Sequence, residues 1–223
     1  MTIYNTQEMT TNEHPRFSVV LAVSDNSQEL EQHLPAFLEQ DYEPGYEVIV
    51  VDESSTDNTD DVLTRFKNQF AHLYTTFLPK PRLNITRQRL ALTIGVKAAK
   101  YEWIIFANIN NYPPSSEWLK ELAGFAEDTN TTMMLGYVQP KNGEMRLQQF
   151  SNIEQAQTII KKAERKRSNG HKGRWLRYMR GKYDFLAVRA SEAHLALRFY
   201  EQDIRGIQLL SLRFKTMFHN IFH

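Results

Sequence analysis

Four clusters in this chain carry residue types that can do chemistry together. Ser24-Asp25-Asn26, Asp52-Glu53 and Asn108-Ile109-Asn110 each follow a short apolar run, and Arg82, Arg87 and Arg89 crowd one loop and the helix start beyond it. A carboxylate at the second cluster can accept a hydrogen bond from a base N–H or a ribose hydroxyl. Arginine binds phosphate through a planar fork, and a helix N-terminus favours anions as well. Each cluster also has an ordinary alternative. Aspartate and asparagine are common turn and cap residues, and basic residues often line a solvated helix face.

The elements that must position these groups read as alternating strands and helices. Phe17 to Val23 is a strand ending in Ser24-Asp25-Asn26-Ser27, and a helix follows from about Gln28 to Gln40 with Leu30, Leu34, Phe37 and Leu38 at near-helical spacing. Tyr46 to Val51 lacks strict apolar/polar alternation, so it reads as a strand buried on both faces, as in parallel sheets. Thr56 or Asp57 is placed to cap the next helix, which runs to Phe70 with Asp60 and Asp61 in its first turn. A weaker strand, His72 to Phe77, precedes a proline-containing loop and a helix from Thr86 to Lys100. Glu102 to Ala107 is the next strand; Ser115 can cap a helix reaching Glu127, and Thr131 to Val138 reads as a further strand. This alternation predicts an α/β fold with a mainly parallel central sheet flanked by helices and joined by right-handed crossovers. The polar clusters would then converge at the C-terminal edge of the sheet, where open α/β sheets bind ligands.

The chain has 223 residues, enough for one domain with a real core. Its net charge of +1 gives the whole molecule no strong bias toward nucleic acid or membrane. The absence of cysteine removes disulfides, thiolate metal sites and cysteine nucleophiles, and the scattered histidines show no ligand spacing. No signal-peptide pattern or spanning helix is visible, so the expected location is cytoplasmic, or peripheral at the inner face of a membrane.

The chain divides into residues 1–15 as a loosely held tail, 16–138 as the strand–helix half, and 139–223 as an appendage completing the same domain. This last part has a helix expected from Ser151 to Arg167, a strand from Tyr183 to Val188, and helical character from Ser191 onward. Lys161 to Lys182 holds ten basic residues and one acidic one, with Trp175 and Tyr178 among them. Such a segment is either a solvated face or a surface for anionic headgroups or a phosphate-bearing acceptor. Ile207 to Phe222 is amphipathic and suits a position beside it.

The motifs resemble those of family 2 glycosyltransferases. Phe17-Ser18-Val19-Val20-Leu21-Ala22-Val23 looks like that family's opening strand. Val51-Asp52-Glu53-Ser54-Ser55-Thr56-Asp57 resembles its Val-Asp-Asp-Gly-Ser-Thr-Asp string. Arg87 to Ala99, Glu102 to Phe106, Pro113-Pro114 and Trp118-Leu119 resemble what surrounds its metal motif. The resemblance covers residues 16 to 138 and implies the GT-A fold, a Rossmann-like single domain that takes a UDP- or GDP-linked sugar. It implies that Ala22, Val23 and Ser24 line the nucleoside pocket, that Asp52 and Glu53 contact base and ribose, and that Arg87 or Arg89 lies near the base or phosphates. Asn108 and Asn110 stand where the family carries Asp-x-Asp, one carboxylate toward the ribose and one on Mn²⁺ or Mg²⁺. Hard divalent cations prefer carboxylate oxygens, so the metal is expected to be held at Asn110 weakly or not at all. For the base that deprotonates the acceptor hydroxyl, Asp203 is the first candidate and Asp184 the second; an exposed helix carboxylate is the plain alternative for Asp203.

The resemblance implies an acceptor that is a glycan or a lipid-linked sugar, and no nucleic-acid partner. Two other readings stand beside an active transferase. One is a catalytically weak or inactive relative that binds nucleotide or a protein partner, which the neutral Asn-Ile-Asn favours. The other is a nucleotidyltransferase, disfavoured because Ser24 to Ser27 holds no glycine-rich phosphate loop.

Overall fold

The computed structural model describes residues 14–78, 87–138, 144–155 and 184–201. Arg82, Asp203, the basic segment 161–182 with Trp175 and Tyr178, and the amphipathic stretch 207–222 lie outside the described residues. So do the first residues of the tail and all but the start of the helix expected over 151–167.

Strand and helix alternate as the patterning predicts: β1 (Phe17–Val23), α1 (Ser27–Leu38), β2 (Tyr46–Asp52), α2 (Thr59–Gln69), β3 (Leu73–Phe77), α3 (Arg87–Ala98), β4 (Trp103–Ala107), α4 (Trp118–Ala126) and β5 (Met133–Val138). Then come β6 (Met145–Phe150), β7 (Phe185–Arg189) and α5 (Ala193–Glu201). The seven strands form one sheet in the order β3-β2-β1-β4-β7-β5-β6. β3, β2, β1 and β4 are mutually parallel, with Val19 paired to Val48 on one side and to Ile105 on the other.

The far side of the sheet is antiparallel. β7 runs antiparallel between β4 and β5, and β6 runs antiparallel to β5 along the edge. β6 is not anticipated by the sequence patterning, because its run Met-Arg-Leu-Gln-Gln-Phe is as polar as a loop. Only six residues separate β5 from β6, too few for the crossover that parallel strands need, so the pair is antiparallel.

The strands' period-two alternation divides the core in two. Val19, Leu21, Val48 and Val50 join Leu30 and Leu34 of α1, Val62 and Phe66 of α2, and Trp118 and Leu122 of α4 on one face. Val20, Ile49 and Val51 join Ala91 and Leu92 of α3 and Ala193 and Ala196 of α5 on the other. Each such valine, leucine, isoleucine or phenylalanine removed from water contributes roughly 1.5–3 kcal/mol, and burial on both faces is why these strands lack polar alternation.

Two polar residues interrupt the central strands. Ser18 and Glu47 face each other across β1 and β2. The buried Glu47 carboxylate accepts hydrogen bonds from Ser18 Oγ at 2.7 Å and the Lys100 amide at 2.7 Å, and pairs with Lys100 Nζ at 3.3 Å. This clamp lies at the N-terminal edge and fixes the end of the α3–β4 connection, which is how a buried carboxylate is tolerated there.

The chain reverses direction across the sheet between β1 and β4. β2 and β3 extend one way from β1, and β4 returns to its other side. At such a switch point open α/β sheets form their ligand crevice, here above the C-terminal ends of β1 and β4. The tail is tied in by residue 14: His14 meets Glu127 at 3.0 Å, and the Pro15 carbonyl accepts the Tyr42 hydroxyl at 2.5 Å.

Candidate functional site

The clusters predicted to converge do so. Val23 pairs with Asp52, the Glu53 amide donates to the Val23 carbonyl at 2.8 Å, and Ala107 lies beside Leu21. The loops after β1, β2 and β4 therefore rise from one edge. α3 begins at that same edge with Arg87 and Arg89 in its first turn, since its crossover starts from the C-terminal end of β3.

Most of the acidic groups are committed to holding the loops. Asp25 Oδ1 accepts from the Thr56 amide at 2.6 Å, and the Asp25 amide donates to Ser55 Oγ at 2.8 Å. Asp52 accepts from the Ser55 amide at 3.0 Å and from Ser55 Oγ. Asp57 accepts from the Ser27 amide at 2.9 Å and the Thr59 amide at 3.1 Å, so one carboxylate closes the first turns of both α1 and α2. The helix start therefore differs from the expectation: α2 begins at Thr59, and Asp57 acts two residues ahead of it. What little desolvation Asp57 suffers raises its pKa, but the hydrogen bonds from Thr59 and Ser27 outweigh it and hold the carboxyl at about 2.

Glu53 is different. Continuing the alternation of β2, Asp52 falls on the α1–α2 face and Glu53 on the α3 face. Among the described residues its carboxylate accepts no hydrogen bond. Burial pushes its pKa above the ordinary value, the nearby Arg87 guanidinium pulls it back, and Asp52 adds to the rise. Arg87 supplies the complementary group: its Nε and Nη2 are buried and have no hydrogen-bond partner. A carboxylate that accepts no hydrogen bond and a guanidinium with two unsatisfied, buried N–H groups thus lie near each other at this edge of the sheet.

The turn after β4 is fixed internally. Asn108 Oδ1 accepts from the Asn110 amide at 2.9 Å, and the Asn108 carbonyl accepts from the Asn111 amide at 2.8 Å. Ile109 is buried in the core, and its carbonyl meets His33 Nδ1 at 3.0 Å. Asn108 and Asn110 are exposed and uncharged. No group of three His, Cys, Asp or Glu able to hold a metal exists among the described residues. The donor set at this turn does not fit a hard divalent cation.

Asp184 arrives by pairing rather than by sequence. Phe185 pairs with Ala107, so Asp184 precedes β7 at the position flanking Asn108 on the neighbouring strand, and its amide donates to the Gly136 carbonyl at 3.1 Å. Two aromatic rings missing from the sequence reading also border the turn. His33 of α1 stacks on Tyr112 with centroids 4.4 Å apart, and Tyr112 is 49% exposed. The signal available was the place of Tyr112, two residues beyond Asn110; nothing marked His33.

Backbone strain marks the rim. Asp25 and Ser54 have φ of 50° and 63°, a left-handed conformation that non-glycine residues rarely adopt. Ser54 stands where the resembled string has glycine, and its Oγ donates to the Leu78 carbonyl. Ser54→Ala keeps the strain and loses the bond, whereas Ser54→Gly loses both. The alanine variant is expected to be less stable than the glycine variant by about 1 kcal/mol, read as a difference of roughly 2–4 °C in thermal melts. Equal melting of the two would show that Ser54 is not strained.

The family model described as glycosyl transferase family 2 matches residues 18–185. Among solved structures, the chain is similar to that of S. aureus TarS residues 1–349, at 20% identity and a TM-score of 0.54, covering 90% of this chain and 55% of that one. The same protein in complex with UDP gives 19% identity and a TM-score of 0.53 over 90% and 55% of the two chains. The mannosyltransferase PcManGT from Pyrobaculum calidifontis, in complex with GDP-Man and Mn²⁺, gives 23% identity and a TM-score of 0.48 over 55% and 35%. The TarS likeness is one of fold, and the chain covers no more than 55% of any of these proteins. No curated protein matches the sequence.

Proposed function

The chain belongs to glycosyl transferase family 2, and from that membership we propose that it moves a sugar from a nucleoside-diphosphate donor to an acceptor hydroxyl. The observation that carries this reading is the pair of neighbouring opposite charges, Glu53 without a hydrogen bond and Arg87 with two unsatisfied N–H groups, at the C-terminal edge of the parallel strands. The nucleoside would lie against Ala22, Val23 and Ser24, with Glu53 accepting from a base N–H or ribose hydroxyl and Asp52 beside it. Asn108 would meet the ribose, and Arg87 and Arg89 the phosphates. The acceptor hydroxyl attacks the anomeric carbon as the bond from that carbon to the diphosphate oxygen breaks. A carboxylate takes the hydroxyl proton; Asp184 is the candidate at this edge, and Asp203 is the other. The acceptor class is a glycan or lipid-linked sugar, with the basic segment 161–182 offered to its phosphates or to a membrane surface. No helix among the described residues is long and apolar enough to cross a membrane.

Calorimetric titration of the full chain with UDP and GDP tests the binding half, and release of either nucleotide from its sugar conjugates tests turnover. Binding of neither would end this reading. Binding without turnover toward any glycan acceptor would favour the second reading, a nucleotide-binding relative without transfer, for which the uncharged Asn108 and Asn110 speak.

Restoring charge at the turn gives a separate expectation. The double variant Asn108→Asp, Asn110→Asp adds two carboxylates at exposed positions. It is expected to gain Mn²⁺ affinity and to bind nucleotide more tightly with Mn²⁺ than with EDTA, by about tenfold or more. Unchanged binding in the two conditions would mean that the turn does not face the phosphates.

A further inference from the structure

We propose that this chain holds its nucleotide diphosphate without a divalent cation, with the Arg87 guanidinium meeting the phosphate charge in the cation's place. The proposal rests on the nucleotide-sugar reading above and specifies how that site manages charge. Three observations converge on it.

The first is the donor set at the β4 turn. Asn108 has its amide oxygen engaged by the Asn110 backbone at 2.9 Å, Asn110 brings no charge, and Ile109 points into the core. The second is that three of the neighbouring carboxylates are occupied. Asp25, Asp52 and Asp57 each accept hydrogen bonds that hold the β1–α1 and β2–α2 loops, so recruiting one for a metal would loosen the rim of the crevice.

The third is Arg87 itself. A buried cationic donor left without a partner is among the costlier states a folded chain can carry. Arg87 keeps two such N–H groups at the N-terminal turn of α3, where the helix dipole adds to its field. Glu53 lies near enough to feel its charge, yet no ion pair between the two forms. The fork of Nε and Nη2 matches two oxygens of one phosphoryl group, a geometry lysine cannot reproduce. A diphosphate satisfies both orphaned donors at once.

The test compares UDP and GDP with uridine and guanosine on the full chain, in EDTA and in Mn²⁺. Expected is a diphosphate Kd that differs by less than about twofold between EDTA and Mn²⁺. Arg87→Gln should weaken the diphosphate by about tenfold or more while moving the nucleoside little. Arg87→Lys should fall between, and thermal melts of both variants report whether they fold. A tenfold or larger gain from Mn²⁺ in the unmodified chain would overturn the proposal and leave the nucleotide reading intact. Equal losses for diphosphate and nucleoside in Arg87→Gln would also overturn it, by placing Arg87 on the base. Binding of neither diphosphate in either condition would instead bring down the nucleotide reading on which it rests.

Discussion

Replacing Gly136 with alanine is expected to destabilise the fold by about 3 kcal/mol, the upper part of the range for overpacking a core. A Cβ at Gly136 would lie 1.8 Å from Cζ of Phe185 and 2.2 Å from its Cε1. The two residues face each other across β5 and β7, so the ring occupies the space a side chain would need. The ring has nowhere to retreat. Phe185 is 4% exposed, and Trp118 packs edge-on against it at 5.0 Å and 85°. Its displacement would also carry Asp184, whose amide donates to the Gly136 carbonyl, away from Asn108. For a chain of this size the loss corresponds to a fall in Tm of roughly 6–12 °C. Gly124→Ala provides the contrast. Gly124 lies in α4, and a methyl group there would meet nothing within 4 Å. Alanine at this position should stabilise by about 0.5–1 kcal/mol through helix propensity. A Gly136→Ala protein that melts within a degree of the unmodified chain would show that β5 and β7 do not pair in this register.

The second large effect is on binding. On the proposed reading, Glu53→Ala is expected to weaken UDP or GDP by about 1–3 kcal/mol, roughly five- to 150-fold, because it would leave a donor on the nucleoside unpaired. The same residue should give binding a pH dependence. Ionised Glu53 accepts hydrogen bonds at both oxygens with charge assistance; protonation turns one oxygen into a donor and weakens what the other accepts. Burial raises its pKa, opposed by Arg87 and aided by Asp52. Affinity should therefore begin to fall, as pH is lowered, at a higher pH than an ordinary glutamate would produce. Asp52→Asn removes a raising influence and should move the midpoint down; Arg87→Gln removes a lowering one and should move it up. Glu53→Gln should flatten the profile. Nucleotide affinity unchanged in Glu53→Ala would take this residue out of the site.

The four parallel strands and their helices were legible from sequence because their determinants are local. Apolar runs without alternation mark Phe17–Val23 and Val48–Val51, and the spacing of Leu30, Leu34 and Leu38 marks α1. Short strand–helix connections then leave little choice but right-handed crossovers and a common ligand edge. The chemistry at that edge was only partly legible. Asp52 and Glu53 are adjacent carboxylates in the sequence, and strand parity together with Ser55 decides that one is tied into the loop and the other faces Arg87.

Likewise, that Asn108 and Asn110 are uncharged is plain in the sequence, but that Asn108 also turns its oxygen to a backbone amide follows from the conformation of the turn. β6 and the antiparallel insertion of β7 escaped local reading because strand pairing is a contact between distant segments. More than 70 residues separate Ala107 from its partner Phe185, and no local pattern encodes that neighbour. The sequence by itself determined which polar and charged residues follow the strands at the crevice. The tertiary structure decided which of them remain unsatisfied within it, because hydrogen-bond satisfaction depends on every segment that reaches the same edge.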